Sequence, residues 1–511
     1  MLAKVNGAAL LGMESHRVDV EVDVIRGVPA FEIVGLPDAG VKESRIRVKS
    51  AIRNSAYEFP NRRIHVNLAP ADLRKVGPSF DLPLALAILE ATGQLKPARP
   101  PGFIAVGELS LDGMVREVTG VLSMALGARE RDAPFIVVPV GNAAEAALVS
   151  GLEVYGVSSL REAAEFLNGA LALDPYSPDP AGALVGDGCD CPDLSEVRGQ
   201  EPARRALEVA AAGGHNVLLV GPPGSGKTML ARRLPGILPP LTLGEAFEVT
   251  RIHSVAGLIP PGGSLVTRRP FRDPHSSISA AGLTGGGAPL PRPGEVSLAH
   301  CGVLYLDELP LFPRNALESL RAPLEDGRVT IVRSMVQVAY PSRFGLVASM
   351  NPCPCGYLGD TQRECVCPVG DIQRYRGRLS GPLLDRVDIH VEVPRLTRRQ
   401  LQQRGGGEHS SVVRARVVAA RERQDRRLSG SGAYCNAGMI HSHVERFCAL
   451  TADGERFLGM AIERLGFSAR SYGRVLRVAR TIADLAASDA IGVEHVAEAV
   501  QYRCLERAAF G

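Results

Sequence analysis

Residues 221–228 read Gly221-Pro222-Pro223-Gly224-Ser225-Gly226-Lys227-Thr228 and follow directly on the apolar run Asn216-Val-Leu-Leu-Val220. Small residues let a main chain approach a polyphosphate closely, and backbone N–H groups converging at a helix N-terminus hold it. In such a loop Lys227 reaches the outer phosphates and Thr228 sets its hydroxyl on Mg²⁺. A glycine-rich turn alone is often only a turn. The full eight-residue pattern, set between an apolar run and a stretch (Met229 to Leu234) that can continue as helix, predicts a nucleoside-triphosphate cradle.

A second group lies downstream. Val303-Leu-Tyr-Leu306 reads as a buried strand that delivers Asp307 and Glu308 at its end. Asp307 suits the Mg²⁺ shell, and Glu308 suits orienting and deprotonating an attacking water, a contribution worth about 10²–10⁴ in rate. Asn351, after Phe344-Gly-Leu-Val-Ala-Ser-Met350, could polarise the same water or sense the outermost phosphate; its plainer reading is a turn-forming Asn-Pro pair. Arg386, in Leu383-Leu-Asp-Arg386-Val-Asp388, is suited to reach a neighbouring subunit's phosphate, an arrangement worth about 10³–10⁵ in turnover. Arg470, at a later helix start, could report closure of the C-terminal region on the nucleotide. Either arginine alone is more often a surface charge or salt-bridge partner.

Cys353-Pro-Cys355 and Cys365-Val-Cys367 form two close pairs. Four thiolates satisfy a tetrahedral Zn²⁺, although Cys-x-Cys is a less typical spacing than Cys-x₂-Cys, and four reduced thiols are the alternative. Just after Asn351, a metal would brace that strand. Cys189 and Cys191 fall in a linker and read as unmetallated.

These groups need elements to carry them. Val18 to Ile25 alternates with period two; Asp38 precedes a helical stretch to about Asn54; Arg63 to Leu68 is strand-like. Helix-like Leu82–Ala91, strand-like Phe103–Gly107, helix-like Val121–Arg129, strand-like Pro134–Val138 and helical Leu160–Leu167 complete a mixed α/β unit over residues 1–172. Prolines and glycines make 173–193 a linker. Strands and helices alternate around the cradle over 194–395, as a parallel nucleotide-binding sheet requires. Residues 396–511 turn helical (Val412–Leu428, Ala452–Leu465, Ala469–Ala487, Val493–Arg507) after a flexible Arg404-Gly-Gly-Gly407 connector.

At 511 residues the chain is too long for one compact core, and about two to four domains are expected. A net charge of +3 neither demands nor excludes a nucleic-acid partner, because a charged channel can be local. Lysine occurs only at positions 4, 42, 49, 75, 96 and 227, so basic roles after Lys96, apart from the cradle, fall to arginine. The longest apolar window, Phe80 to Leu95, contains Asp81 and Glu90, so no membrane span is expected. Met1 to Gly12 lacks a cleavage site and reads as no export signal. Ten cysteines are too sparse for a disulfide scaffold, which points to a soluble protein of the reducing cytoplasm.

The order of these motifs resembles the AAA+ superfamily and, within it, the magnesium-chelatase-like family of YifB and the competence protein ComM. The carrying stretches are Phe31-Glu-Ile-Val-Gly-Leu-Pro-Asp38, Val197-Arg-Gly-Gln200, the cradle, Phe271-Arg-Asp-Pro-His275, Pro291-Arg-Pro-Gly-Glu295, Leu306-Asp-Glu-Leu-Pro310, Asn351-Pro-Cys-Pro-Cys355, Leu379-Ser-Gly-Pro-Leu-Leu-Asp-Arg386 and Ala479-Arg-Thr-Ile-Ala-Asp484. The resemblance implies ATP and Mg²⁺ as cofactors, Asn351 as sensor 1, Arg386 as arginine finger, Arg470 as sensor 2 and a homo-hexameric ring. It implies a motor on single-stranded or branched DNA, acting in branch migration during natural transformation. A chelatase-like or protein-remodelling ATPase acting on a partner protein is the alternative. Where the family often has two adjacent histidines this chain has His275-Ser276.

By the same resemblance the fold is α/β: a Lon-protease-like N-terminal domain, an AAA+ core with a parallel sheet, and an all-α C-terminal lid. The resemblance also implies an insertion at Gly282 to Pro289 facing the ring channel, beside a hairpin around Gly327 to Pro341 that exposes Arg328 and Arg333. Arginines on channel loops would grip phosphates with strong salt dependence and little base specificity, with Arg268, Arg269, Arg272 and Arg292 as further candidates. Gly77-Pro-Ser79 stands where the Lon-type protease has its nucleophile, but the chain has no lysine between Lys96 and Lys227, and Leu122 falls about where the protease lysine would be. A hydrolytic serine needs a base. Proteolysis is therefore not expected, and Ser79 is expected to cap the following helix.

Overall fold

The computed structural model describes residues 2–177, 191–288, 290–333, 336–360, 362–397, 400, 407–465, 467 and 469–510. In the N-terminal unit β1 (Leu2–Leu11) pairs antiparallel along its whole length with β2 (Glu14–Ile25). The period-two run puts Val18, Val20, Val22 and Val24 on the buried face of β2. Strand β3 (Ala30–Val34) leads into α1 (Ala39–Asn54), whose first turn is capped by Asp38, its carboxylate accepting from the Val41 N–H at 2.8 Å. Then follow β4 (Arg63–Ala69), α2 (Asp81–Ala91), β5 (Ile104–Ala105), α3 (Val121–Glu130), β6 (Phe135–Pro139), β7 (Glu153–Val157) and α4 (Leu160–Leu167). The seven strands form one sheet in the order β3-β4-β2-β1-β5-β6-β7.

Three details differ from the sequence reading. The ten residues after Met1 form a strand that the sequence did not announce, because β1 lies inside the sheet between β2 and β5 and its Gly7-Ala8-Ala9 run interrupts the period-two alternation. The strand expected over Phe103–Gly107 shrinks to Ile104–Ala105. Ser79 does not cap α2: it lies in a 3₁₀ turn, Pro78–Phe80, and α2 starts without a side-chain cap. Asp81 occupies the first turn instead, buried and held by Arg47 at 2.6 Å and by the Leu109 N–H at 3.2 Å.

The central unit contains α5 (Glu201–Gly213), β8 (Val217–Val220), α6 (Lys227–Ala231), α7 (Leu243–Ala256), β9 (Phe271–Arg272) and β10 (Val303–Leu306). The hairpin β11 (Arg328–Arg333) and β12 (Val336–Pro341) precedes β13 (Gly345–Met350), α8 (Val369–Arg376) and β14 (Ile389–Glu392). Its sheet runs β9-β10-β13-β8-β14 with every neighbouring pair parallel. Strands buried on both faces explain why these segments read as unbroken apolar runs.

The C-terminal region is helical: α9 (Ser410–Leu428), α10 (Ala452–Leu465), α11 (Ala469–Leu485) and α12 (Val493–Phe510). Helices α9 and α11 pack on α5 and α12 packs on β14, so Val417, Val475 and Ile482 share one apolar core with Val217, Leu219 and Ile389. The N-terminal unit docks on α7, where Arg251 reaches Ser123 at 3.1 Å and Ser254 bonds the buried Glu145. Most of the linker, including Cys189, and Arg404 to Gly406 lie outside the described residues. No helix among those described is long and apolar enough to cross a membrane.

Candidate nucleotide site

Open parallel sheets bind ligands at the carboxyl ends of their strands. Here β8, β10 and β13 end side by side, in a register pairing Val220 with Met350 and Leu306 with Ala348. The cradle, Asp307-Glu308 and Asn351 therefore emerge from one edge. Gly221 is required by space, since a Cβ there would sit 2.1 Å from the Val393 carbonyl oxygen. The Lys227 Nζ donates to the carbonyls of Gly221 (2.8 Å) and Pro222 (2.9 Å) and to Asn351 Oδ1 (3.1 Å). The Thr228 hydroxyl donates to Asp307 Oδ2 at 3.0 Å and accepts from the Tyr305 hydroxyl at 3.1 Å. Two protein oxygens side by side at the foot of a phosphate cradle are the donor set Mg²⁺ uses, its other positions going to phosphate and water.

Asp307 and Glu308 are adjacent but differently held. Burial would raise the Asp307 pKa, but hydrogen bonds from Ser349, Thr228 and Tyr305 outweigh it and keep the group below its ordinary range. Glu308 has a left-handed backbone (φ 52°), its N–H bonded to Asp307 Oδ1 at 3.0 Å and to Ser349 Oγ at 3.3 Å. That turn leaves its carboxylate exposed beside the cradle, without a hydrogen-bond or ion-pair partner among the described residues. The sequence reading missed Tyr305 and Ser349. Each is a hydroxyl inside an apolar strand, two positions before a site residue and so on the same face, which is the signal that could have found them.

Burial lowers the Lys227 pKa to about 8, against the opposing pull of Asp307 and Glu308. A bound polyphosphate stabilises the ammonium and raises that value. Nucleotide affinity is therefore expected to be nearly flat below pH 8 and to fall above it, with proton uptake on binding at pH 8.5 that is small at pH 7. Calorimetry in buffers of different ionisation enthalpy measures this; binding without proton uptake at pH 8.5 would contradict the assignment.

Arg386 lies elsewhere. Its carbonyl accepts from the Nδ2 of Asn216, the residue just before β8, at 2.8 Å, whereas the cradle follows the other end of that strand. At about 3.3 Å per residue, β8 keeps the Arg386 backbone and the loop at 221–226 of one chain at opposite ends of its strand. The Arg386 guanidinium is paired with the Glu325 carboxylate and lines a cavity of about 590 Å³ with Arg470, Arg474 and Arg477. Arg470, 76% exposed and 3.6 Å from Asp385, is thus grouped with Arg386 and away from its own cradle. The anchor is Asp388: burial opposes its charge, yet His215, Arg477 and Arg474 hold its carboxyl far below the ordinary range. This buried anion fixes the start of α11 to the strand edge.

Other candidates divide. Arg269 bonds the carbonyls of Pro239 and Cys301 (both 2.6 Å), and Arg272 makes a two-pronged pair with Glu295 at 2.6 and 2.9 Å. Both are committed internally, which corrects their reading as phosphate grips. Arg292, Arg328 and Arg333 are exposed, the first on a small hairpin (Gly285–Gly286 with Arg292–Pro293) that packs near β11. Cys353, Cys355, Cys365 and Cys367 converge with one sulfur each, all within 4.8 Å, and Cys353 Sγ is 3.3 Å from Cys355 Sγ and 3.6 Å from Cys365 Sγ. These separations exceed a disulfide bond of about 2.05 Å and lie near the roughly 3.8 Å between sulfurs bound tetrahedrally at about 2.3 Å from zinc.

Comparison with known proteins covers nearly the whole chain. Residues 193–401 match the magnesium chelatase subunit ChlI family, residues 20–142 a second family described as subunit ChlI of Mg-chelatase, and residues 407–503 the ChlI C-terminal family. The chain is 44% identical to the YifB protein of Salmonella typhimurium and 44% identical to the competence protein ComM of Haemophilus influenzae, in each case over 99% of this chain and 98% of the relative. It is 43% identical to YifB of Escherichia coli, again over 99% and 98%.

Proposed function

The chain belongs to the YifB/ComM family of magnesium-chelatase-like AAA+ proteins, and on that premise we propose that it is a ring-forming ATPase that moves along DNA. One observation carries the assembly-dependent part: the cradle, Asp307, Glu308 and Asn351 share one edge of the parallel sheet while Arg386 and Arg470 lie at the other. One chain cannot turn its own arginines onto its own phosphates, so a neighbouring copy supplies them. Heterologous contacts of this kind make a ring when the rotation between copies closes, and a cyclic homo-oligomer is the proposed working form, the family resemblance favouring a hexamer.

Thr228 and Asp307 would hold Mg²⁺, which would neutralise phosphate charge. Lys227 binds the outer phosphates, Glu308 takes a proton from the attacking water, and Asn351 orients that water. Arg386, joined by Arg470, stabilises charge on the transferring phosphate of the next subunit. Exposed Arg292, Arg328 and Arg333 on the two hairpins give a basic surface suited to a phosphodiester backbone. The name of the competence protein among the relatives favours DNA taken up or recombined as the substrate. The four clustered thiols are assigned a structural Zn²⁺.

The test is the ATPase rate with and without single-stranded or branched DNA, with Lys227→Ala as the blank. DNA is expected to stimulate turnover, and its binding to weaken steeply with salt. If DNA neither binds nor stimulates while an unfolded protein does, the protein-remodelling reading replaces this one.

A further inference from the structure

The cysteine cluster and the nucleotide cradle are built on one another. Cys353 is buried and only two residues beyond Asn351, whose side chain accepts from Lys227. The turn closed by the Gly356 N–H on the Cys353 carbonyl (3.0 Å) lies against the cradle itself. Gly356 has φ 86°, and a Cβ there would stand 2.5 Å from Pro223 Cδ, so this position requires glycine and the contact is backbone to cradle. On the far side Tyr357 is covered by the guanidinium groups of Arg363 at 4.2 Å and Arg395 at 5.9 Å. The residue before Arg395, Pro394, accepts through its carbonyl from Gln200 Nε2 (2.6 Å), which also donates to the Ser225 carbonyl of the cradle (3.3 Å). From α8, Arg376 donates to the Pro352 carbonyl at 3.2 Å. The segment between Asn351 and α8 is therefore clasped by the phosphate loop at one point and closed on itself at the four sulfurs.

Without an ion, four converging thiols leave a short glycine- and proline-containing loop with little apolar burial to hold its shape. With one, the loop is a rigid wall of the cradle. We propose that the tetracysteine centre is a Zn²⁺ site thermodynamically coupled to the cradle, so that Zn²⁺ bound by Cys353, Cys355, Cys365 and Cys367 and nucleotide bound at Gly221–Thr228 each strengthen the other. The proposal rests on the nucleotide reading above. Coupling between two sites is ordinarily about 5–150-fold and is reciprocal, a symmetry that a merely structural ion distant from the cradle does not produce.

Full-length protein is analysed for metal, and the affinity of fluorescent ADP is measured before and after Zn²⁺ withdrawal with a thiol-reactive mercurial and a chromogenic chelator. About one Zn²⁺ per chain is expected, with ADP binding at least about fivefold weaker after withdrawal and restored by Zn²⁺ and thiol. In the reverse direction, ADP is to raise the equilibrium Zn²⁺ affinity by the same factor. Cys365→Ser is paired with a variant that spares every thiol, Gly356→Ala, which should weaken ADP binding while its four thiols still take up about one Zn²⁺ per chain. Absence of Zn²⁺ from the purified chain overturns the site, and ADP affinity indifferent to Zn²⁺ overturns the coupling alone. Zn²⁺-loaded wild type that binds no ADP overturns both the coupling and the nucleotide reading, whereas Lys227→Ala should lose ADP and keep Zn²⁺.

Discussion

Replacing Arg386 by alanine is expected to lower ATP turnover about 10³–10⁵-fold while leaving the affinity of the same chain for ADP unchanged. The two effects separate because the Arg386 carbonyl is bonded to Asn216 ahead of β8, and the cradle lies beyond its other end. In the single chain the guanidinium is occupied by Glu325 and has no phosphate within its own fold to meet. A mixing experiment isolates the geometry. Arg386→Ala chains retain an intact cradle and Lys227→Ala chains retain an intact finger, so each alone is inactive and a mixture recovers activity at the interfaces that combine the two intact halves. Arg470→Ala is expected to behave as Arg386→Ala does, losing turnover more than ADP affinity, because it pairs with Asp385 at 3.6 Å and lines the same cavity as Arg386. A lid arginine acting on its own chain's nucleotide would instead weaken ADP binding directly. Recovery that fails in the mixture, or full turnover by an Arg386→Ala monomer, removes the shared-site mechanism.

What the residues disclosed in advance, and what they did not, follows from the range over which each feature is determined. The placement of residues 221–226 between β8 and α6 was legible because a glycine-rich loop follows one apolar run and opens a helix. Asp307, Glu308 and Asn351 were legible because each ends an apolar run, and parallel strands buried on both faces write such runs plainly. Helix α1 announced itself through Asp38, and the cap is present at 2.8 Å. Strand β1 was not legible, since its partner β2 reads as a strand from alternation while β1 carries Gly7-Ala8-Ala9 in mid-sheet. The Ser79 cap failed for a different reason: Asp81, two residues later, took the first turn and the ion pair with Arg47. Arg470 illustrates the hardest class. Its position at a helix start was readable, but which phosphate it can face depends on where α11 docks. That is set by a buried charge cluster around Asp388 drawn from distant stretches, His215 on one side and Arg474 and Arg477 of α11 on the other. Likewise Arg269 and Arg272 looked free until Cys301, Pro239 and Glu295 were found folded against them.

Glu308→Gln is expected to retain nucleotide affinity and lose about 10²–10⁴ of the turnover, the share that a positioned general base supplies and equivalent to about 3–5 kcal/mol of barrier. The substitution keeps the size of the side chain and removes only its ability to accept a proton. The neighbouring carboxylate cannot take over. Asp307 is tied to Thr228 at 3.0 Å and to Ser349, and hydrogen bonds from three hydroxyls keep it a weak base. Glu308, turned out of the strand direction by its left-handed backbone, is the carboxylate left uncommitted beside the cradle. Asp307→Asn should therefore differ in kind, raising the Mg²⁺ concentration needed for half-maximal rate, whereas Lys227→Ala should abolish nucleotide binding itself. Single-turnover measurement of all three variants, with ADP and Mg²⁺ titrations beside each, assigns affinity, metal and proton transfer to separate residues. Undiminished turnover by Glu308→Gln would show that the proton leaves by another route, and the division of labour between the two adjacent carboxylates would then have to be abandoned.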